Sequence, residues 1–458
     1  MTLARRVPTS ASVRVLIPQS YGRRRLGTTT AAARRHDNSG SSVSINPQHK
    51  LVGSRHGMVL MRRCTRRTPV VLYLCGIVTA LSAVVIGTPI AEAARSKPTL
   101  MPGLIAVEGP MTGEQASTGI DMANGAALAV NQINTAGGID GVQLRLLKLD
   151  DKATSLGGLS AARKAHASGA FAVIGPFNSS VGVTNLRIYK KAGLPIVRLT
   201  SSVKTEGFGV TTQPMDSQVA PVEIQEITKV LHAQRPAMVY DTSTYTAGIA
   251  QQVKAGLAKI GDPVVAFAPV VSGQKSYTAQ LRKVASAHPD LLYIAANGTD
   301  AGKIAKEAST MAGTGRCFVD LAAQGSAFVA AAGRTVAATC VASGVPSAQQ
   351  FTGASQYVSA YQSSFHATPG TWGTYTYDSV QILADALKQA DWHQKAVITA
   401  LDHITAYQGI TGPITIASST GNRVQSTVVI LDVDSAGNYV IDPQWATATG
   451  FPLPANNG

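Results

Sequence analysis

The chain has 458 residues, room for two or three domains, and a formal net charge of +15. That charge does not describe a nucleic-acid-binding body. Residues 1–93 carry 14 Lys/Arg against 2 Asp/Glu and the rest of the chain 26 against 23, so the excess sits in a basic leader and the remainder is nearly balanced.

In chain order, residues 1–57 are rich in Arg, Ser and Thr with no sustained apolar period, and read as a disordered or mis-assigned N-terminal extension; Met58 or Met61 is a better start. Arg62, Arg63, Arg66 and Arg67 then precede an uncharged, mostly apolar run, Pro69 to Ile90, and Ala91-Glu92-Ala93 supplies the small residues of a cleavage site. Residues 58–93 therefore read as a signal peptide or, since a run of about 20 apolar residues can span a bilayer, as an uncleaved membrane anchor. Cys75 follows Leu74 in mid-run, where lipid attachment would need a small residue. Either reading exports the body of the chain to the periplasm or cell surface.

From Leu104 the pattern alternates. Apolar runs at Leu104–Val107, Leu144–Leu149, Ala172–Ile174 and Ile196–Leu199 predict strands, with helices near 121–134, 156–168 and 180–192 between them. A second series has strands at Ala237–Tyr240, Val264–Val270, Leu291–Ala295 and Arg316–Val319, and helices near 218–232, 246–260, 276–287 and 301–312. Helices near 353–366, 374–390 and 395–403 and strands Ile414–Ile416, Val428–Asp432 and Tyr439–Ile441 follow. Two such series predict two doubly wound, three-layer α/β lobes. In such lobes ligands lie beyond the carboxyl ends of the strands.

The wording is also specific. Gly109-Pro110-Met111-Thr112-Gly113, a helix ending Ala129-Val130-Asn131-Gln132-Ile133-Asn134, the turn Gly137-Gly138-Ile139-Asp140-Gly141 and a strand ending Asp150-Asp151 resemble the opening of the leucine/isoleucine/valine-type periplasmic solute-binding proteins, the type I receptors of ABC importers. The resemblance runs over roughly residues 100–445. It implies a three-crossover hinge, with passages near 216–218, 343–346 and 408–412. Lobe 1 is then 94–217 with 346–410, and lobe 2 is 218–345 with 411–458.

By its own chemistry, the loop Gly175 to Ser180 ends a strand and starts a helix, so Asn178 and Ser179 take capping positions where free N–H groups and the helix dipole favour a carboxylate. The resemblance makes Ser179 the serine that grips the ligand's carboxylate. It matches Thr200-Ser201-Ser202 to a stretch contacting ammonium and carboxylate, with Ser202 as the hydroxyl and Thr200 as a carbonyl acceptor. It places Tyr245 across the cleft. Thr118 and Asn297 fall where the family has aromatic residues, implying a more polar or roomier pocket. Gln324 falls where amino-acid-binding members hold the ammonium with a glutamate, Asp320 being the nearby substitute. On that reading Gln324→Glu tightens binding of branched-chain amino acids.

Catalytic signatures such as Gly-x-Ser-x-Gly, His-Glu-x-x-His and a P-loop lysine motif are absent from the sequence. Asp150-Asp151 reads as a strand-end turn, and Asp432 and Asp434 as the approach to a hairpin. Cys317 and Cys340, 23 apart in an exported body, are expected to form a disulfide, since neither has a further Cys or His at metal-ligand spacing. The expectation is a monomeric, non-enzymatic receptor without cofactor or metal. It captures an amino acid or related small carboxylate and delivers it to ABC permease subunits, touching the membrane only through its leader or the permease. A ligand-sensing receptor domain and an enzyme on the same scaffold are the alternatives.

Overall fold

A computed structural model describes residues 101–450. The expectations for the extension (1–57) and for the signal or anchor (58–93) lie outside the described residues.

The first lobe is built from β1 (Leu104–Gly109), α1 (Ala116–Thr135), β2 (Arg145–Asp150), α2 (Ser155–Ala167), β3 (Ala172–Ile174), α3 (Ser179–Lys191), β4 (Ile196–Arg198) and β5 (Val210–Thr211). The strands form one parallel sheet in the order β2-β1-β3-β4-β5. Ile105, Ala106, Val107, Val173 and Ile174 are wholly buried, which fits a parallel sheet covered on both faces. α1 begins earlier than the predicted 121, because the Ser- and Thr-containing stretch before Asp121 is already helical. Gly119 permits this: a Cβ there would lie 2.3 Å from the Pro110 carbonyl oxygen.

The second lobe continues with α4 (Asp216–Gln225), β6 (Pro236–Asp241), α5 (Thr244–Ile260), β7 (Ala266–Val270), α6 (Thr278–Ala285), β8 (Leu291–Ala295), α7 (Gly298–Ser309), β9 (Arg316–Val319), α8 (Ser326–Ala332), α9 (Arg334–Ala337) and β10 (Cys340–Gly344). The strand Cys340–Gly344 was not predicted, because Ser343 and Gly344 interrupt its apolar character. The chain then returns to the first lobe with α10 (Ser355–Phe365), α11 (Trp372–Gln389) and α12 (Gln394–Asp402). Two small hairpins follow, β11 (Tyr407–Gly409) with β12 (Gly412–Ile414) and β13 (Ile416–Ala417) with β14 (Asn422–Arg423). Finally β15 (Val429–Val433), β16 (Tyr439–Ile441) and α13 (Pro443–Thr449) complete the second lobe. Its sheet has the order β16-β15-β10-β9-β8-β6-β7, parallel except where β15 joins β10 and β16 joins β15 antiparallel. Cys317 and Cys340 are register partners on neighbouring strands and are joined by the expected disulfide.

α11 is fastened to α1 where neither helix carries a side chain. A Cβ on Gly125 would sit 2.1 Å from the Gly373 carbonyl oxygen. One turn earlier the buried Asp121 carboxylate accepts from the N–H groups of Gly370 (2.9 Å) and Gly373 (2.6 Å), at the start of α11. Burial raises the Asp121 pKa and those N–H donors oppose it. This contact fixes the first residue of α11, Trp372, at the end of the sheet.

The third passage between lobes falls later than the expected 408–412. Residues 411–423, assigned to lobe 2, pack on lobe 1: Gly207 and Thr211 donate their N–H groups to the carbonyls of Thr420 (3.1 Å) and Gly421 (2.8 Å). The crossing is therefore the segment between Arg423 and Val429. At its start the Arg423 side chain, 1% exposed, spends its guanidinium on backbone. Nη1 donates to Thr212 O (3.0 Å), Nη2 to Thr411 O (2.9 Å) and to Pro413 O (2.8 Å), and Nε to Pro413 O (3.2 Å). Asp378 in α11 takes the N–H groups of Ile410 (2.9 Å) and Thr411 (3.0 Å) beside it.

Two stability predictions follow from these ties. Arg423→Met leaves the buried carbonyls of Thr212 and Thr411 and the partly buried one of Pro413 without this donor and should cost about 3–5 kcal/mol in denaturant unfolding, with Arg423→Lys recovering only part, since one ammonium cannot span the same fork. A loss below about 1 kcal/mol would mean that the carbonyls find other donors. Replacing both Cys317 and Cys340 by Ser should cost about 3 kcal/mol by the loop-closure estimate. Thiol titration of the unfolded, unreduced mature protein should find neither sulfur free.

Candidate functional site

The carboxyl ends of the β1–β3–β4 strands and of β6–β8–β9 open on a shared cavity of about 180 Å³ between the lobes. That is below the roughly 300–1,000 Å³ of drug-sized ligand sites, so it suits a small solute. Seven of the nine predicted positions line it: Thr118, Asn178, Ser179, Ser201, Tyr245, Asn297 and Gln324. Thr200 and Ser202 do not. Thr200 Oγ1 is turned into the protein, donating to Thr205 Oγ1 (2.7 Å), and Ser202 Oγ caps the N–H of Lys204 (3.4 Å). The segment is extended, and side chains alternate along extended backbone, so Ser201 faces the cavity and its neighbours face away.

On the first lobe, hydroxyl protons are left over for a ligand. Ser179 Oγ, at the start of α3, accepts from the Ser202 N–H (3.2 Å). Ser201 Oγ accepts from Gln213 Nε2 (2.8 Å), and Gln213 is held in that orientation because the same amine also donates to the Leu199 carbonyl. Each serine oxygen thus receives a hydrogen bond from the protein and has its own proton to give. The first-turn N–H groups of α3 add positive potential at the same place. Asn178 does not cap that helix; its Nδ2 donates to Gln115 Oε1 (2.9 Å), tying the loop to the start of α1. The unpartnered Asn178 Oδ1 and Gln213 Oε1 are shut off from solvent.

On the second lobe the donors point the other way. The Tyr245 hydroxyl donates to Asp320 Oδ2 (3.0 Å). Asn297 gives both its backbone N–H (3.1 Å) and its Nδ2 (3.3 Å) to Asp241 Oδ2. What Tyr245 has left are oxygen lone pairs; Asn297 keeps its Oδ1 lone pairs and one Nδ2 proton, and each residue is backed by a buried carboxyl group. Asp320 is wholly buried, and burial pushes its carboxyl up to about 7 against the Ala322 N–H, the Tyr245 hydroxyl and Glu223. Glu223, buried beside it, is pushed well up by burial and then by the charge of Asp320; it receives the Tyr293 hydroxyl (2.8 Å) and the Ser343 hydroxyl (2.6 Å). The one charged residue lining the cavity among those described is Glu114.

Gln324 lines the cavity with its amide already tied to the protein at both ends. Nε2 donates to the Val345 carbonyl (2.7 Å) and Oε1 accepts the Val345 N–H (3.0 Å), so the side chain clasps the second passage between lobes. A glutamate there would lose the donor and face the carbonyl. The expectation that Gln324→Glu tightens binding is therefore reversed: it should cost about 1–3 kcal/mol of stability, read by denaturant unfolding, with no gain in affinity for L-leucine by calorimetry.

Three lining groups escaped the sequence reading. Phe177 and Trp372 meet edge to face at 5.0 Å between centroids and give the first lobe an aromatic surface despite Thr118. Trp372 lies over 190 residues along the chain from its partner, and nothing local marks it. Phe177 had a local signal, since it stands in the same strand-to-helix loop as Asn178. Gln213 sits where β5 ends, and only the fold shows that it orients Ser201.

A pair of doubly wound lobes closing on one small polar cavity is the architecture of an extracytoplasmic solute receptor. Residues 104–438 match the family described as periplasmic binding protein, and the chain belongs to that family. It is 30% identical over 223 residues to an amino acid binding protein of Pseudomonas aeruginosa, covering 47% of this chain and 60% of that protein. It is 27% identical over 299 residues to Leu/Ile/Val-binding protein homolog 1 of Brucella abortus, covering 63% of this chain and 78% of that one. The match to the Leu/Ile/Val-binding protein of Escherichia coli K12 is 29% over 209 residues, covering 44% and 57%. The alignments thus span somewhat over half the length of the P. aeruginosa and E. coli relatives. Among solved structures, the substrate-binding protein LivJ of Streptococcus pneumoniae, in complex with isoleucine, superposes with a TM-score of 0.67 at 24% identity, covering 74% of this chain and 97% of that one. A solute-binding protein of Rhodopseudomonas palustris, solved with 3,4-dihydroxybenzoic acid, does so at 0.62 and 18%, covering 72% and 93%. These superpositions establish the fold: a type I periplasmic binding protein, as the sequence pattern implied.

Proposed function

We propose that this chain captures an amino acid or related small carboxylate between its lobes and presents it, outside the cytoplasm, to the permease of an ABC importer. The observation that carries the reading is the pair of serine hydroxyls, Ser179 and Ser201. Both oxygens already accept from the protein, so both protons are available to a carboxylate lying over the start of α3. The names of the P. aeruginosa, B. abortus and E. coli relatives support the amino-acid class. No helix among the described residues is long and apolar enough to cross a membrane.

Ser179→Ala and Ser201→Ala should each weaken carboxylate binding by about 1–3 kcal/mol, measured by titration calorimetry on residues 94–458. Ser202→Ala should leave affinity within about 0.5 kcal/mol, because its hydroxyl serves the Lys204 N–H. If Ser202→Ala weakens binding and the other two do not, the carboxylate lies elsewhere.

A further inference from the structure

The two faces of the cavity differ in what these side chains have left to offer. Lobe 1 offers spare protons at Ser179 and Ser201; lobe 2 offers spare lone pairs at Tyr245, whose one proton is given to Asp320, and at the amide oxygen of Asn297. A ligand with only a carboxylate would satisfy one face and leave the other unmatched. We propose that Asp320, acting through the Tyr245 hydroxyl, is the counter-charge for an ammonium group on the ligand, and that Asp320 gives up a proton to solvent when such a ligand is captured. This rests on the reading of the cavity as an amino-acid or carboxylate site.

The position that lacks a carboxylate, Gln324, thereby loses its importance. A tyrosine oxygen whose proton is committed to a carboxylate can only accept from the cleft side, and the charge behind it strengthens that acceptance. Asp320 is a positioning residue here: the ligand meets Tyr245, not the carboxylate. The neighbourhood of Asp320 suits this use. Glu223 reaches it from α4, Tyr293 from β8 by way of Glu223, Tyr245 from α5, and Asp241 from β6; Asp216, at the start of α4, acts on Tyr245. These groups are acidic or neutral, so nothing among them compensates an ionised Asp320 in the unliganded cleft. Glu223 retains its own proton and hydrogen-bonds to Asp320, so the pair moves from two protons to one. The arriving ammonium keeps all its protons; the bond that breaks is the O–H of Asp320, and buffer takes that proton.

The sign follows from the direction of the shift. An ammonium lowers the Asp320 pKa from its unliganded value of about 7, so below about pH 7 binding releases a proton, and above it Asp320 is already ionised. By linkage, affinity rises with pH by up to about tenfold per unit below about pH 7 and levels off near pH 8.

The test is calorimetry from pH 5.5 to 8.5 in buffers of different ionisation enthalpy. The probe pair is L-leucine and 4-methylpentanoate, which is leucine without its amino group. If leucine is not bound, the best-binding standard L-amino acid and its deaminated counterpart replace them. The expected result is release approaching one proton at pH 6 for the amino acid and none for the deaminated acid. Asp320→Asn and Tyr245→Phe should each abolish the release and weaken the amino acid at least about tenfold at pH 8, and by clearly more than they weaken the deaminated acid. If Asp320→Asn does not fold, the wild-type proton count and Tyr245→Phe decide. Amino-acid binding without proton release, or binding of the deaminated acid alone, overturns the inference and leaves the proposed function standing. Binding of neither class overturns the proposed function and the inference with it.

Discussion

The buried guanidinium of Arg423 is the constraint on which the two-lobed arrangement depends. A charge 1% exposed is expensive to desolvate, and here it is repaid by backbone carbonyls from two separate passages between lobes. Thr212 belongs to the first passage, Thr411 and Pro413 to the approach to the third. Asp378 takes the N–H groups on the other side of the same turn, so donors and acceptors of this irregular backbone are largely satisfied without a sheet. Tyr375, one turn before Asp378 on α11, gathers the passages. Its carbonyl accepts from Thr212 Oγ1, its ring meets Phe351 after the second, and its hydroxyl pairs with Thr427 in the third. The hinge is therefore a packed polar knot, and lobe movement must occur around it.

The same economy organises the cavity. Side chains that face it have one end already committed to the protein, and that commitment decides what they can offer. Ser179 and Ser201 are acceptors inward and donors outward; Tyr245 is the reverse, and Asn297 keeps its amide oxygen and one amide proton. Carboxyl groups lie one bond behind the surface, in Asp241 and Asp320, and fix the orientation of the groups that line it. Trp372 and Phe177 add an apolar surface beside these groups, held in place by the Asp121 carboxylate and the Gly125–Gly373 contact.

The alternation of apolar runs and helices was legible because β1, β3, β6 and β8 are buried on both faces and so read as short apolar runs ended by polar loops. The loop beyond β3 was legible as a site for the same reason, through Asn178 and Ser179, whereas Ser201, Tyr245 and Asn297 were placed there by the family resemblance. Which side chain of a loop points inward was less legible. Thr200, Ser201 and Ser202 look equivalent in sequence, and only the extended backbone separates them. Gln324 does line the cavity, but the effect of a glutamate there was misjudged because its amide is tied to Val345, and a one-dimensional reading does not show which backbone a side chain clasps. The late hairpins were assigned to the wrong lobe because Thr420 and Gly421 attach through backbone hydrogen bonds, which leave no mark on residue type.

The weld between α1 and α11 has a consequence in time. Asp121 and Gly373 are 252 positions apart, yet the first lobe cannot seat α1 without them. At ribosomal speeds of about 5–20 residues per second, roughly 10–50 seconds pass between the emergence of one and the other. For that interval the opening β-α-β segment has no partner for the small-residue face of its helix. The most recognisable stretch of the sequence thus completes its packing only when nearly the whole chain has been made.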